Sequence, residues 1–112
     1  MYTGATVPFP NAIERKKHYR KHGWKFGARD EHDYERMADE FMSAPMHADL
    51  YEDTMLRQNG VLDRLRLHGV TLHFGVAHHI SILRSFYPRK PHEITRHGGP
   101  AGFIAAKCKE VR

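Results

Sequence analysis

The sequence is poor in cysteine and has no long apolar run. Cys108 is the only cysteine among 112 residues, which excludes an internal disulfide and a cysteine-rich zinc module. No stretch approaches the ~20 apolar residues that a membrane-spanning helix requires, and the first residues lack the apolar segment of a signal peptide. Internal repeats and low-complexity tracts are also missing. We therefore expect one small domain with one hydrophobic core and no membrane segment.

Basic side chains, by contrast, are in excess. Lysine and arginine number 18 against 13 aspartates and glutamates, a net charge of +5, and ten further residues are histidines. Apolar residues make up 40% of the chain and charged residues 28%, a balance typical of a folded domain. The positive charge favours a polyanion or an acidic protein as partner. We expect no bound metal or cofactor, because no cluster of cysteines or carboxylates is evident.

The first element with a clear beginning and end is a basic helix. Asn11, with Glu14 three residues later, forms an N-cap with a capping box, and Gly23 ends the helix. We therefore predict a helix over 12–22. Because it holds few apolar residues it must lie on the surface and expose its cations: Arg15, Lys16, Lys17, Arg20 and Lys21.

The aromatic residues that follow lead into a second helix. We expect Trp24 and Phe26 to anchor the first helix to the core. Asp30 caps a second helix over 31–43. One buried stripe with the spacing i, i+3, i+4 and i+7 is formed by Tyr34, Met37, Ala38 and Phe41.

Beyond residue 59 the pattern becomes that of strands. Residues 46–59 are compatible with a short helix or with the start of a strand. Asn59-Gly60 predicts a hairpin turn, and His68-Gly69 makes the next turn, after which apolar and polar side chains alternate from Val70. We predict three or four antiparallel strands with one half-polar face, on which three arginines are solvated: Arg57, Arg64 and Arg66.

The order of these elements predicts an α+β domain in which N-terminal helices pack on a small antiparallel sheet. We divide the chain into an irregular lead-in (1–11), the α+β domain (12–91) and a tail (92–112) that follows the prolines at the end of the sheet. The tail is compatible with a short helix or with a final strand.

His18 and His22 are the candidates for chemistry. On a helix they lie one turn apart on one face, with Lys21 beside them. Two groups that titrate near neutral pH next to a fixed cation can exchange protons at a phosphate. The alternative is a solvated basic helix whose two histidines have this spacing without any catalytic role. His-x3-His is also a zinc-ligand spacing that needs a third ligand. His78-His79 could supply it, but this pair lies in a predicted turn and has no other predicted role.

Two segments of the sequence resemble the small RNase toxin domains of the barnase–EndoU–colicin–RelE-like (BECR) group, found at the C-termini of bacterial polymorphic and contact-dependent toxins. The first is His18-Tyr-Arg-Lys-His-Gly23, followed by Phe26-Gly27 and then by Tyr34, Ala38 and Phe41. It is similar to that group's opening H-x-x-K-H-G segment and its second helix. The second, from Arg57 to Pro88, is similar to its strand region, with Ser85 where a threonine is usual. Together they cover about residues 12–90.

The resemblance implies a metal-independent endoribonuclease that uses the 2′-OH of its RNA substrate as nucleophile, with transfer RNA as the favoured substrate. The catalytic set would comprise two histidines as base and acid, two cations that stabilise charge on phosphorus, and two hydroxyls that orient a phosphate oxygen: His18, His22, Lys21, Arg84, Ser85 and Tyr87. Further cations would bind the RNA backbone: Lys16, Lys17, Arg20, Lys25 and Arg57.

It also implies an acidic immunity protein or antitoxin as partner, and action in the cytoplasm of a target bacterial cell after delivery within a larger toxin. The sequence begins with Met1, so it is compatible with either an excised domain or a free-standing protein. Two other functions fit the same basic helix: a non-catalytic nucleic-acid-binding module, and an adaptor or inhibitor that binds an acidic host protein.

Overall fold

The computed structural model describes residues 7–109. Residues 1–6 of the predicted lead-in therefore lie outside the described part of the chain. The elements, in chain order, are α1 (Ala12–His22), a 3-10 turn (Gly23–Phe26), α2 (Glu31–Ser43), β1 (Leu50–Leu56), β2 (Leu62–His68), β3 (His73–His78), β4 (Ile82–Pro88), α3 (Pro91–Arg96) and α4 (Pro100–Lys109). The strands form one antiparallel sheet in the order β1-β2-β3-β4. The predicted α+β class is confirmed.

Helix α1 has the predicted bounds. Asn11 caps it, and its side chain accepts a hydrogen bond of 2.9 Å from the backbone N–H of Glu14. Gly23 follows the last residue, but it stays right-handed (φ −56°), and the chain continues through the 3-10 turn to a left-handed Gly27 (φ 68°). Glycine is required at position 23 because a Cβ there would overlap the ring of Tyr19.

The two aromatic side chains of the 3-10 turn have opposite environments. Phe26 stacks on Phe86 of β4 with ring centroids 4.2 Å apart, so its predicted role as an anchor is confirmed. Trp24 is 74% exposed, so its predicted role as an anchor is wrong. The turn directs one aromatic ring to the sheet and the other to solvent.

Helix α2 contributes Tyr34, Ala38 and Met42 to the first core. Asp30 caps the helix as predicted, accepting from the N–H of Asp33 at 2.8 Å. The helix packs on one face of the sheet, where a Cβ on Gly75 would overlap the Met42 sulfur, so the glycine allows a close approach. The buried residues of this core are Val7, Phe9, Tyr34, Ala38, Met42, Ala77, Leu83 and Phe86.

The opposite face of the sheet is covered by the segment that begins at Pro91. That segment forms α3 and α4, and Phe103 and Ile104 of α4 are buried against the strands. The expectation of one core is therefore wrong: helices cover both faces of the sheet, and each interface has its own apolar cluster. The second cluster comprises Met55, Leu65, Leu67, Phe74, Val76, Ile94, Phe103 and Ile104.

The strands differ from the prediction at two points. The undecided segment 46–59 contains strand β1, and the turn at Gly60 (φ 83°) follows it as predicted. β3 begins at His73 and not at Val70, since Leu72 is left-handed (φ 62°) and Val70 is 73% exposed. The turn between β2 and β3 therefore comprises residues 69–72.

The predicted solvated face of arginines is also wrong. Arg66 is only 4% exposed and donates hydrogen bonds to the carbonyls of Phe41 and Ala44 at the C-terminal end of α2. Arg64 donates to the Met42 carbonyl and shares Glu52 with Arg66. Burial alone would raise the pKa of Glu52, but the hydrogen bonds from both arginines hold it below its ordinary value. These two side chains join α2 to the sheet.

In the part of the chain that the structure describes, no helix has both the length and the apolar composition needed to span a bilayer.

Candidate functional site

A buried carboxylate with three basic partners lies at one end of the sheet. Asp63 of β2 is 1% exposed. Its Oδ1 lies 2.7 Å from Nδ1 of His78, and its Oδ2 lies 3.1 Å from Arg57 Nη1 and 3.4 Å from Arg84 Nη1. Because a buried carboxylate is costly unless it is paired and hydrogen-bonded, these contacts fix the positions of all three basic groups. We call these four residues the Asp63 cluster.

Local backbone structure brings each partner to Asp63. His78 lies directly opposite Asp63 in the antiparallel register of β2 and β3. Arg57 sits in the β1–β2 turn, where its N–H donates to the Val61 carbonyl at 2.8 Å. Arg84 is the extra residue of a β-bulge, since its neighbours Leu83 and Ser85 pair with Ala77 and Val76. A bulge redirects a side chain, and here it directs Arg84 towards Asp63.

The three basic partners of Asp63 line an open cavity of about 520 Å³. α1 contributes the carboxylate of Glu14, and the β3–β4 turn contributes His79. The full lining is Pro10, Glu14, Arg57, Asn59, His78, His79, Ile82, Leu83 and Arg84. The site therefore combines cations, imidazoles and the Glu14 carboxylate around a space that is open to solvent.

Asp63 determines how the imidazole of His78 can act. A carboxylate can only accept hydrogen bonds, so Nδ1 of His78 must be the donor in their 2.7 Å contact. Nε2 is then the ring nitrogen left to exchange a proton with another molecule. The side chain of His78 is 29% exposed, against 1% for Asp63, so a ligand in the cavity can reach it.

The predicted pair His18 and His22 lies in a stack of rings between α1 and β4. Going along the stack, the centroids are 5.3 Å apart for Phe9–His18, 6.3 Å for His18–His22 and 5.0 Å for His22–Tyr87. We call these four residues the α1 stack. Burial lowers the pKa of His18. Burial, helped by Lys25 and Lys21, lowers the pKa of His22 to about 4.

The structure joins some of the other predicted site residues and separates others. Arg57 and Arg84 meet at Asp63, as described above. The hydroxyl of Tyr87 accepts a hydrogen bond from Arg89, which in turn pairs with Glu93. Lys16, Lys17, Arg20 and Lys21 are exposed on α1, and Lys25 Nζ lies 3.2 Å from His22 Nδ1. Neither Ser85 nor Tyr87 is among the described side chains that line the cavity.

Glu14 connects the two regions. Its Oε2 lies 3.6 Å from Nε2 of His18, and the same side chain lines the cavity. The α1 stack therefore adjoins the Asp63 cluster through one carboxylate.

Sequence reasoning missed Asp63 and Glu14 as site residues and considered His78 only as a possible zinc ligand. The sequence indicates only a capping role for Glu14, and its backbone N–H does donate to the side chain of the N-cap residue Asn11. Asp63 and His78 could have been found from the strand register, which pairs them, but only with the β2–β3 turn placed correctly.

Among residues 7–109, no three histidine, cysteine, aspartate or glutamate side chains are grouped so as to hold a metal ion. The third ligand that a zinc site at His18 and His22 requires is therefore not provided by this part of the chain.

Comparisons of the chain with protein-family models, with curated proteins and with solved structures found no match. Any functional assignment therefore depends on the residues and their geometry.

Proposed function

We propose that this protein is a metal-independent endoribonuclease whose reaction takes place in the cavity beside the Asp63 cluster. One observation carries the proposal: a buried carboxylate fixes an imidazole and two guanidinium groups along the wall of one open cavity. Guanidinium groups suit phosphate oxygens, and an oriented imidazole suits proton transfer. RNA offers both a phosphate and an adjacent hydroxyl.

The reaction is a transesterification within the RNA. A base removes the proton of the 2′-OH, the 2′-oxygen attacks phosphorus, and the bond from phosphorus to the 5′-oxygen breaks as an acid protonates that oxygen. The products are a 2′,3′-cyclic phosphate and a 5′-OH. His78 Nε2 and the Glu14 carboxylate, on the walls of the same cavity, are the two proton carriers. Arg57 and Arg84 stabilise the charge that develops on the phosphate oxygens.

This assignment differs from the predicted roles of His18 and His22. His22 is 7% exposed, and its lowered pKa, about 4, makes it a weak base at neutral pH. His18 contacts Glu14, so in this mechanism it orients the carboxylate. Lys21 and the other cations of α1 act on the RNA backbone outside the cavity.

The partners follow from the same charges. A structured RNA such as a transfer RNA supplies a phosphate backbone along α1, and an acidic immunity protein or antitoxin would inhibit the enzyme by placing carboxylates against Arg57 and Arg84. We propose the cytoplasm of a target bacterial cell as the place of action.

A non-catalytic nucleic-acid-binding module is the second candidate, since the outer face of α1 is basic independently of the cavity. The two candidates differ in what they do to RNA. We expect the wild-type chain, incubated with total RNA at low salt and in excess EDTA, to release discrete fragments with 2′,3′-cyclic phosphate ends.

The matched control is the His78→Gln variant, which should bind the same RNA without cutting it. A shift in RNA mobility with no cleavage by the wild type would favour the binding module. Cleavage that requires an added divalent cation would contradict the proposed reaction.

A further inference from the structure

The exposed indole of Trp24 is not explained by the fold or by the cavity. The side chain is 74% exposed, although burying an aromatic ring of this size is strongly favourable. Lys25 Nζ lies 5.8 Å from the centroid of its ring, so a cation accompanies the aromatic face. Trp24 is also the only tryptophan of the chain.

The surface of α1 that leads to Trp24 is a row of exposed cations. Lys16 and Arg20 precede Trp24 at intervals of four residues, and Lys17 and Lys21 lie beside them, so all four lie on one side of the helix. All four are exposed, and within residues 7–109 none forms a hydrogen bond or an ion pair with another side chain. By contrast, Arg15, on the inner side of the same helix, is paired with Glu31 at 3.0 Å.

We propose that this surface binds a single-stranded segment of RNA, with phosphates along the four cations and an unpaired base stacked on Trp24. The inference rests on the proposed function, because it extends the path of the RNA from the cavity. Base stacking on an exposed aromatic ring beside a basic groove is how single strands are held without regard to sequence. The bases of a duplex are stacked on each other and cannot reach the indole.

The length of α1 sets the size of the bound segment. Glu14 lies at the cavity, and Trp24 follows ten residues later, about 15 Å along a helix. At about 3.4 Å per nucleotide of a stacked strand, this distance corresponds to four or five nucleotides. The substrate class is therefore RNA with an unpaired stretch of at least that length next to the scissile bond.

Tryptophan fluorescence tests this inference directly, because Trp24 is the only source of the signal. The probe is a ten-nucleotide 2′-O-methyl RNA, which lacks the nucleophilic hydroxyl and stays intact whether or not the protein is an RNase. We expect this strand to quench the fluorescence on binding. The same strand annealed to its complement, and an abasic backbone of the same length, should bind without comparable quenching.

Variants separate stacking from charge. Trp24→Ala should weaken binding of the single strand by about 5- to 150-fold, the range of one lost base stack, while Trp24→Phe should retain part of the affinity. Val70→Ala is the matched control, because Val70 is 73% exposed on the β2–β3 turn and should not change the affinity. Thermal melts should show that every variant is folded, since both side chains lie in solvent.

Equal affinity of Trp24→Ala and wild type, or equal quenching by the duplex, would overturn the inference. Quenching by the single strand without cleavage of unmodified RNA would instead overturn the proposed reaction and leave the binding surface standing. Cleavage of unmodified RNA, together with equal affinity of Trp24→Ala and wild type, would support the proposed reaction and overturn the binding surface.

Discussion

The α1 stack and the Asp63 cluster both contain histidine beside α1, but in opposite environments. In the stack, His22 lies between His18 and Tyr87, with Lys21 and Lys25 nearby, and its pKa is lowered to about 4. In the cluster, His78 lies beside a buried carboxylate and faces an open cavity. Cations and apolar rings keep an imidazole neutral, whereas a carboxylate partner orients it for proton exchange. The comparison teaches that spacing alone does not identify a catalytic histidine.

Removing the buried carboxylate should have the largest effect. Asp63→Asn replaces the acceptor of three basic groups, so the rate of RNA cleavage should fall about 10²–10⁴-fold, as expected when a catalytic imidazole loses its orientation. Breaking a buried ion pair should also lower the free energy of unfolding by about 3–5 kcal/mol. Single-turnover cleavage at a temperature where the variant is folded, with denaturant unfolding in parallel, measures both. A folded Asp63→Asn variant with the wild-type rate would show that the cluster is only structural.

Acid should affect the stack. The folded-state pKa of His22, about 4, lies below its unfolded reference near 6.5, so the unfolded chain binds protons more readily. The stability that neutral His22 contributes is present above pH 6.5 and is lost as the pH falls towards 4, by roughly 2–3 kcal/mol. The lowered pKa of His18 adds to this loss.

His22→Phe keeps an aromatic ring in the stack and removes the titration. Its unfolding free energy, measured by denaturant melts between pH 4 and 7, should vary less with pH than that of the wild type. An unchanged slope in this variant would mean that other groups cause the acid sensitivity.

The arginines of the cluster should have an intermediate effect. Hydrogen bonds to charged groups contribute about 1.5–3 kcal/mol, so Arg57→Ala and Arg84→Ala should each lower the cleavage rate by about tenfold or more. Arg84, whose side chain is 45% exposed, should do so with little loss of stability. Arg29→Ala is the control, because Arg29 is 83% exposed and is not among the described residues that line the cavity. The cleavage rate of this variant should equal that of the wild type. Equal kinetics for Arg84→Ala and Arg29→Ala would remove Arg84 from the mechanism.

The smallest effect should come from single cations on α1. Lys17→Ala should weaken RNA binding several-fold at low salt and reduce the slope of log K against log salt by about one, since one phosphate contact is lost. Filter binding of the 2′-O-methyl RNA over a salt series gives the slope. A slope equal to that of the wild type would show that Lys17 does not contact phosphate.

Elements with strong local signals could be predicted from the sequence. The cap at Asn11, the cap at Asp30 and the apolar stripe of α2 identified both N-terminal helices with their bounds. These signals lie within a few residues of each other, so they do not depend on tertiary contacts. The environment of Trp24 was not predictable in this way, because a local pattern does not show which side of a 3-10 turn faces the core.

The candidate site depended on long-range register. A turn at His68-Gly69 pairs Asp63 with Phe74, whereas the observed turn over residues 69–72 pairs Asp63 with His78. Arg84 reaches the same carboxylate only through a bulge, which no alternation pattern indicates. The cluster could therefore not be predicted, because the β2–β3 turn was misplaced and the bulge adds one residue, Arg84, to β4.

Single-turnover cleavage of RNA by His78→Gln and by His22→Phe, in excess EDTA, tests the choice between the two histidine sites most directly. Both variants should be folded near pH 7, because His78 is partly exposed and phenylalanine fills the place of His22 in the stack. We predict that His78→Gln loses about 10²–10⁴-fold in rate and that His22→Phe stays close to the wild-type rate. Wild-type cleavage by His78→Gln, with loss of cleavage in a folded His22→Phe variant, would contradict the assignment and place the chemistry in the α1 stack.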